Sequence, residues 1–216
     1  MNYLLFDYDG TLHDSGTIYP PAFRKMYQTM VIDGIAPQRE WADEEITRWL
    51  GYNAADMWQD FMPNATPEQR DFYGAIIGRE MMQTIRNGGA RLYPYTLEVL
   101  EELKRRGYSM LILSNCKEEY LQAHRESFAF DRFFSGYYAA ETYGFVPKHE
   151  IFSTIQKEHP GTFTVIGDRF HDMELARRNQ LPAVGCQYGF GAESELDCAQ
   201  HKIQDIRELL ELFPGA

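Results

Sequence analysis

The sequence predicts an α/β fold in which a mostly parallel sheet is flanked by helices and interrupted by a helical insertion. Short, continuously apolar runs alternate with helical patterns over residues 91–216, as expected for strands that helices cover on both faces. Residues 14–90 instead carry helix start and stop signals and no convincing strand. We therefore expect a core domain of residues 1–13 and 91–216, and a helical domain of residues 14–90.

The first strand is predicted at Leu4–Phe6, and the helical insertion follows it. Its clearest helix begins at Thr66, a good N-cap residue followed by proline, and runs to about Arg86. Gly88-Gly89 then ends that helix and allows the chain to turn back. Two further helices of this region are predicted over residues 22–32 and near residues 43–50.

The second part of the core returns to the alternation of helix and strand. A helix over Thr96–Arg106 carries leucines on one face and ends at Gly107. Strands are predicted at Met110–Leu113 and Phe163–Ile166 because both are short, apolar and bounded by polar residues. A C-terminal helix is predicted from four apolar residues at helical spacing, namely Ile203, Ile206, Leu210 and Phe213.

Charge and composition exclude several classes of protein. The 216 residues contain 21 Lys and Arg against 32 Asp and Glu, a net charge of −11, so no basic face for nucleic acid is expected. No purely apolar run exceeds four residues, far below the roughly 20 that a membrane helix needs. The N-terminus lacks the pattern of a secretion signal, and the three cysteines have no metal-like spacing. We expect a cytoplasmic protein without nucleic-acid or membrane partners, either a monomer or a weak homodimer.

Polar residues follow three of the predicted strands. Asp7 and Asp9 come after the first, Ser114 and Asn115 after the second, and Asp168 after the third. Because open parallel sheets bind ligands at the carboxyl ends of their strands, these side chains are expected to meet in one crevice.

The residue types in this crevice indicate phosphoryl transfer. Carboxylates without His or Cys favour Mg²⁺, and Asp172 adds another four residues after Asp168. A carboxylate nucleophile beside a second carboxylate that moves a proton suits transfer of a phosphoryl group. Ser114, backbone amides around Gly10 and Asn115, and Lys148 would surround the transferred group with donors.

Four sequence motifs resemble those of the haloacid dehalogenase-like superfamily and occur in the same order along the chain. Residues 7–12, Asp-Tyr-Asp-Gly-Thr-Leu, resemble its first motif, and Ser114 after an apolar strand resembles its second. Lys148 resembles the third, and residues 167–172, Gly-Asp-Arg-Phe-His-Asp, resemble the fourth. The resemblance spans the chain and is closest to the phosphoglycolate phosphatase-like branch.

The resemblance implies a Rossmann-like, doubly wound core with a C1-type helical cap, which residues 14–90 would form. It also implies a Mg²⁺-dependent phosphatase that acts on a small phosphorylated metabolite. Asp7 would form an aspartyl-phosphate, while Asp9 would protonate the leaving group and then activate water. The implied phosphate-binding residues are Gly10, Thr11, Ser114, Asn115 and Lys148. The implied magnesium ligands are Asp7, Asp9 through its backbone carbonyl, Asp168, and Asp172 directly or through water.

The sequence departs from the family pattern at two places. Tyr8 stands where an aliphatic residue is usual, and Pro147 precedes Lys148 where many members have proline after the lysine. Lys117 is an alternative phosphate-binding lysine because it lies in the loop after Ser114. His171, inside the fourth motif, is a further candidate base or metal ligand.

Three other functions fit parts of the sequence. A phosphomutase like β-phosphoglucomutase shares the implied fold, but its cap needs an arginine for the distal phosphate, and residues 50–55 contain none. A phosphorylated receiver domain would lack the insertion and carry its acceptor on a later strand. A dehalogenase would have no use for Asp9.

Overall fold

The computed structural model describes residues 1–215, and its sheet has six parallel strands in the order β3-β2-β1-β4-β5-β6. The strands are β1 (Asn2–Phe6), β2 (Ser109–Ser114), β3 (Phe134–Ala139), β4 (Thr162–Gly167), β5 (Ala183–Cys186) and β6 (His201–Ile203). The chain runs outward from β1 through β2 to β3, then returns to β4 on the other side of β1. This reversal creates a switch point between β1 and β4, where open parallel sheets bind ligands.

Nine α-helices accompany the sheet in the described part of the chain. Four belong to the insertion, α1 (Tyr19–Ile32), α2 (Asp43–Thr47), α3 (Ala54–Phe61) and α4 (Pro67–Arg86). The other five are α5 (Thr96–Arg105), α6 (Glu118–Ser127), α7 (Lys148–Glu158), α8 (Phe170–Asn179) and α9 (Leu209–Leu212). No helix among residues 1–215 has the length and apolar character that a membrane span requires.

Helices cover both faces of the sheet, because alternate residues of the central strand point to opposite sides. Leu4 and Phe6 of β1 pack with α5, α6 and α9, whereas Tyr3 and Leu5 pack with α7 and α8. Each fully buried leucine or phenylalanine contributes about 1.5–3 kcal/mol by leaving water. The doubly wound α/β architecture expected from the sequence is therefore confirmed.

The chain separates into two compact units, residues 1–14 with 92–216, and residues 15–91. Within the second unit, α1 packs along α4, and the ring of Phe23 on α1 contacts the rings of Trp41, Trp49 and Phe61. Thr66 caps α4 by accepting a bond from the Gln69 amide at 3.3 Å, and the Gln69 side chain accepts one from the Thr66 amide at 2.9 Å. This reciprocal cap explains why the start of α4 was predictable to the residue.

The C-terminal region differs from the sequence prediction. Ile203 is not part of a helix but ends β6, paired in parallel with β5. The helix that follows is only Leu209–Leu212, preceded by a 3₁₀ turn at Ile206–Glu208. The helical spacing of the apolar residues was misleading because a three-residue edge strand and a short helix bury the same positions.

Candidate active site

Asp7 lies just beyond β1, and its backbone continues the pairing of that strand with β4. Its amide donates to the Ile166 carbonyl at 2.8 Å, which fixes the chain direction as it leaves the sheet. The side chain is buried, and its Oδ1 accepts bonds from the Tyr8 amide and Lys148 Nζ, each at 2.7 Å. Both of these donors thus contact the same oxygen of the Asp7 carboxylate, Oδ1.

Lys148 joins two of the acidic residues predicted for the site. It is the first residue of α7, and its buried Nζ lies 2.7 Å from Asp7 Oδ1 and 2.7 Å from Asp172 Oδ1. Burial opposes the charged form, but the two carboxylates outweigh it and raise the pKa of Lys148, so the ammonium stays charged. Pro147 before the lysine serves as the N-cap residue of α7.

Asp168 and Asp172 come from the end of β4 and the first turn of α8. Asp168 accepts bonds from the Phe190 amide at 2.7 Å and from Thr11 Oγ1 at 3.4 Å. Asp172 accepts from the Arg169 amide at 3.1 Å, which closes the start of α8. Both carboxylates are buried, and these donors offset part of the free-energy cost of removing a carboxylate from water.

Glycines allow the chain to pass close to Asp168. A Cβ on Gly10 would lie 2.2 Å from Asp168 Oδ2, and one on Gly189 would lie 2.3 Å from Asp168 Cβ. Gly10 also has φ = +84°, a region that side chains rarely adopt. Only glycine therefore lets the loop after β1 and the loop after β5 meet on this carboxylate.

The grouping of carboxylates fits a divalent cation. One carboxylate oxygen from each of Asp7, Asp168 and Asp172 lies within 4.8 Å of the others. Three carboxylates and the Lys148 ammonium leave two formal negative charges in a buried region. Burial and then the charge of Asp172 raise the pKa of Asp168 to about 7, and the same causes raise that of Asp7. An oxygen-rich, negatively charged, buried donor set is the kind that Mg²⁺ prefers.

Asp9 has different surroundings. Its Oδ1 lies 2.8 Å from His13 Nδ1 and accepts a bond from Tyr120 Oη at 2.7 Å. Burial would raise the pKa of Asp9, but the bond and charge of His13, helped by Tyr120, outweigh it and lower the pKa below its usual value. The side chain of Asp9 is 17 % exposed, and its carboxylate is not part of the three-carboxylate group.

The other residues predicted to bind phosphate are Ser114, Asn115, Gly10 and Thr11, and they lie at or after the ends of β2 and β1. Ser114 is the buried last residue of β2, and Asn115 follows it. The Gly10 amide donates to the His13 carbonyl at 2.9 Å, and the Thr11 amide donates to the Tyr8 carbonyl at 3.3 Å. Both amides are thus used within the loop, and assignment of Gly10 and Thr11 to phosphate binding stays a prediction.

The two alternative residues do not join the acidic group. Lys117 is exposed at the N-cap position of α6, whereas Lys148 contacts Asp7. His171 packs its ring against Phe170, with ring centroids 3.8 Å apart. The geometry therefore favours Lys148 as the lysine of this site.

Sequence reasoning missed two sets of residues that hold the acidic side chains. Phe190, between Gly189 and Gly191, donates its amide to Asp168, and the Gly-x-Gly pattern after an apolar strand was the available signal. His13 and Tyr120 hold Asp9, but they lie 107 residues apart in the chain and carry no shared motif. Such pairs become visible only when the helices pack on the sheet.

Comparisons with known proteins indicate the family and the fold of this chain. The family model for haloacid dehalogenase-like hydrolases matches residues 4–186. A 5′-nucleotidase from Pseudomonas aeruginosa is 27% identical over 97% of this chain and 94% of its own length. A phosphoglycolate phosphatase from Mannheimia succiniciproducens is 24% identical over 96% of both chains. A solved structure described as a predicted phosphoglycolate phosphatase from Haemophilus somnus superposes with a TM-score of 0.81 at 19% identity, covering 97% of this chain and 96% of the other.

Proposed function

The chain belongs to the haloacid dehalogenase-like hydrolase family, and we propose that it is a Mg²⁺-dependent phosphatase acting on a small phosphorylated metabolite. The observation that carries the proposal is the contact of Lys148 Nζ with Asp7 Oδ1 at 2.7 Å, inside a buried group of three carboxylates. A lone buried carboxylate would be protonated and unreactive, whereas this ammonium helps keep Asp7 in its ionised, nucleophilic form.

In the proposed first step, an oxygen of Asp7 attacks phosphorus. A bond forms between that oxygen and phosphorus, the ester P–O bond breaks, and Asp9 gives a proton to the leaving oxygen. The Lys148 ammonium and the Ser114 hydroxyl would donate to the phosphoryl oxygens, whose negative charge is spread in the transition state. The product of this step is an aspartyl-phosphate on Asp7.

In the second step, Asp9 accepts a proton from water, whose oxygen forms a bond to phosphorus. The bond between phosphorus and the Asp7 oxygen breaks, which releases inorganic phosphate and restores the Asp7 carboxylate. When bound by Asp7, Asp168 and Asp172, Mg²⁺ would neutralise part of the negative charge that substrate and carboxylates bring together. Asp9 suits the base role because its two donors favour its ionised form.

The names of the relatives suggest the substrate class. The compared proteins include a 5′-nucleotidase and a phosphoglycolate phosphatase, which act on small phosphate monoesters. We therefore propose a phosphate monoester of metabolite size as the substrate of this chain.

A phosphomutase reaction receives less support. It needs a cap arginine that is available for a distal phosphate, and Arg48, which precedes the residue 50–55 segment, is paired with Asp60. Trp49 Nε1 also donates to the Asp60 carboxylate, at 2.7 Å. Asp60, the partner of Arg48, is therefore held by two residues of the insertion.

The test is a substrate panel with and without Mg²⁺. It includes an aryl phosphate, phosphoglycolate and nucleoside 5′-monophosphates, with release of inorganic phosphate as the readout. We expect hydrolysis that EDTA abolishes and that added Mg²⁺ restores. Asp71→Asn is a suitable control because it changes an exposed aspartate of the insertion. Absence of turnover on every monoester in Mg²⁺ would contradict the proposal.

A further inference from the structure

We propose that His13 and Tyr120 are positioning residues that fix the Asp9 carboxylate for proton transfer to the leaving group. The inference rests on the proposed phosphatase function, in which Asp9 is the proton donor of the first step. It concerns residues of this chain outside the four motifs, because Tyr120 lies on α6 and His13 follows the first motif.

Two polar atoms from different parts of the chain converge on one oxygen of Asp9. His13 Nδ1 lies 2.8 Å from Asp9 Oδ1, and Tyr120 Oη lies 2.7 Å from the same atom. The Tyr120 hydroxyl is also 3.3 Å from His13 Nδ1, so the two donors touch each other. Toward an ionised carboxylate both must donate, since the carboxylate has only acceptors.

Two donors on one oxygen restrict the rotation of the whole carboxyl group. When Oδ1 is held, the direction of Oδ2 is fixed as well, and proton transfer depends steeply on such geometry. The first segment of the chain and α6 thus set the orientation of Asp9 together. Both donors occupy Oδ1, so the proton of the acid step is carried by Oδ2, and His13 and Tyr120 act by aiming that oxygen rather than by touching the substrate.

His13 is costly to bury, which argues against a purely structural role. The residue is fully buried, and its Nε2 has no hydrogen-bond partner among the described residues. An unpaired buried nitrogen destabilises the folded state, and an apolar ring would avoid this cost. Residues that break a local packing rule in this way are most often explained by function.

A second pair of residues holds the His13 ring in place. The ring stacks on Tyr8, with centroids 5.3 Å apart and planes 9° apart, and lies 4.4 Å from the His124 ring. Tyr8 Oη is 2.6 Å from His124 Nδ1, which locks those two side chains together. Tyr8, unusual at its position in the first motif, therefore acquires a role as a support for His13.

The experiment compares two substrates that differ in their need for a proton. An alkyl phosphate needs its leaving oxygen protonated, whereas p-nitrophenyl phosphate has a leaving group that departs without a proton. The readout is kcat/KM, which covers the steps up to departure of the leaving group. The variants are Tyr120→Phe and His13→Phe, which remove one donor each and keep a ring. His13→Asn is the rescue variant because its amide can replace Nδ1.

We expect the ratio of kcat/KM for the alkyl over the aryl phosphate to fall about tenfold or more in both Phe variants. His13→Asn should restore most of the ratio. Tyr137→Phe is the matched control, since its hydroxyl bonds to the exposed Asp131, and it should leave the ratio unchanged. The thermal midpoint of His13→Phe should stay at or above that of the unmodified chain, because the unpaired nitrogen is removed.

An equal loss on both substrates, or an unchanged ratio in Tyr120→Phe and His13→Phe, would overturn the inference while leaving the phosphatase intact. If the unmodified chain hydrolyses no phosphate monoester of the panel in Mg²⁺, the proposed function itself fails and the inference with it. The two failures can be told apart by the activity of the unmodified chain. The inference fails alone when that chain is active, and both proposals fail when it is inactive.

Discussion

Asp7 and Asp9 are separated by one residue, yet their carboxylates lie in opposite electrostatic surroundings. Asp7 shares a buried region with Asp168 and Asp172, and burial followed by the charge of Asp172 raises its pKa. At Asp9, the donors His13 and Tyr120 overcome the effect of burial, and the pKa is lowered. Two aspartates only two positions apart thus differ in their neighbours. Asp7 is surrounded by other carboxylates, whereas Asp9 is surrounded by hydrogen-bond donors.

This difference explains how one short loop can provide two chemical roles. A carboxylate among other carboxylates depends on cations, which here are Lys148 and the proposed Mg²⁺. A carboxylate held by neutral or positive donors needs no metal for its charge. Environments that move the pKa values of neighbouring groups apart are how enzymes divide nucleophile and acid-base roles.

Asp7→Asn removes the proposed nucleophile and should lower kcat by at least about 10³-fold, equivalent to about 4 kcal/mol in the barrier. Asp9→Asn should also impair turnover, but the aspartyl-phosphate on Asp7 should still form with an aryl substrate. Trapping of labelled phosphate on the protein after acid quench separates the two variants. Labelling of Asp7→Asn at the level of the unmodified chain would refute the assignment of the nucleophile.

Lys148→Met should destabilise the metal-free protein by about 3–5 kcal/mol, because it leaves Asp7 and Asp172 without their buried ammonium. Urea unfolding in EDTA measures this loss, and Mg²⁺ should recover part of it. Lys202→Met is the matched control, since its bond to Asp197 at 2.9 Å lies at the surface and should contribute at most about 1 kcal/mol. Equal losses in the two variants would contradict the buried arrangement.

Gly10→Ala should destabilise the protein by about 2–3 kcal/mol and weaken Mg²⁺ binding, because its Cβ would lie 2.2 Å from Asp168 Oδ2 at φ = +84°. Gly107→Ala is the control for backbone strain alone, since it has φ = +89° and nothing within 4 Å of the added Cβ. It should cost about 1 kcal/mol. Denaturant midpoints and calorimetric Mg²⁺ titration test both effects, and unaltered Mg²⁺ affinity in Gly10→Ala would count against the metal site.

His124→Phe should change how stability depends on pH. Burial lowers the pKa of His124 to about 3, so between pH 6.5 and 3 the unfolded chain binds more protons than the folded one. The unmodified protein should therefore lose stability relative to the variant as the pH falls, by about 2 kcal/mol between pH 7 and pH 5. Urea unfolding at several pH values measures this, and a difference that does not vary with pH would contradict the burial of a neutral imidazole.

Residues of the candidate site could be predicted where a local rule relates the sequence to a place in the fold. Asp7 and Asp168 were expected together because parallel strands β1 and β4 end at one edge, and their oxygens do lie in one group. Lys148 and Asp172 were predicted from their residue types as well as from their motifs, and the structure brings both to Asp7 or its neighbours. Strands β1, β2 and β4 were located by their apolar runs, whereas β6 was mistaken for the start of a helix.

Apolar periodicity and strand-end residue types act over a few positions, and they were enough to predict the layered α/β fold and the acidic edge of the sheet. The electrostatic surroundings of each carboxylate, by contrast, depend on tertiary packing. His13 and Tyr120 reach the same oxygen of Asp9 from loop and helix, and Phe190 reaches Asp168 from the loop after β5. Electrostatic environment depends on distances of a few ångströms between groups that are far apart along the chain, and packing alone sets those distances.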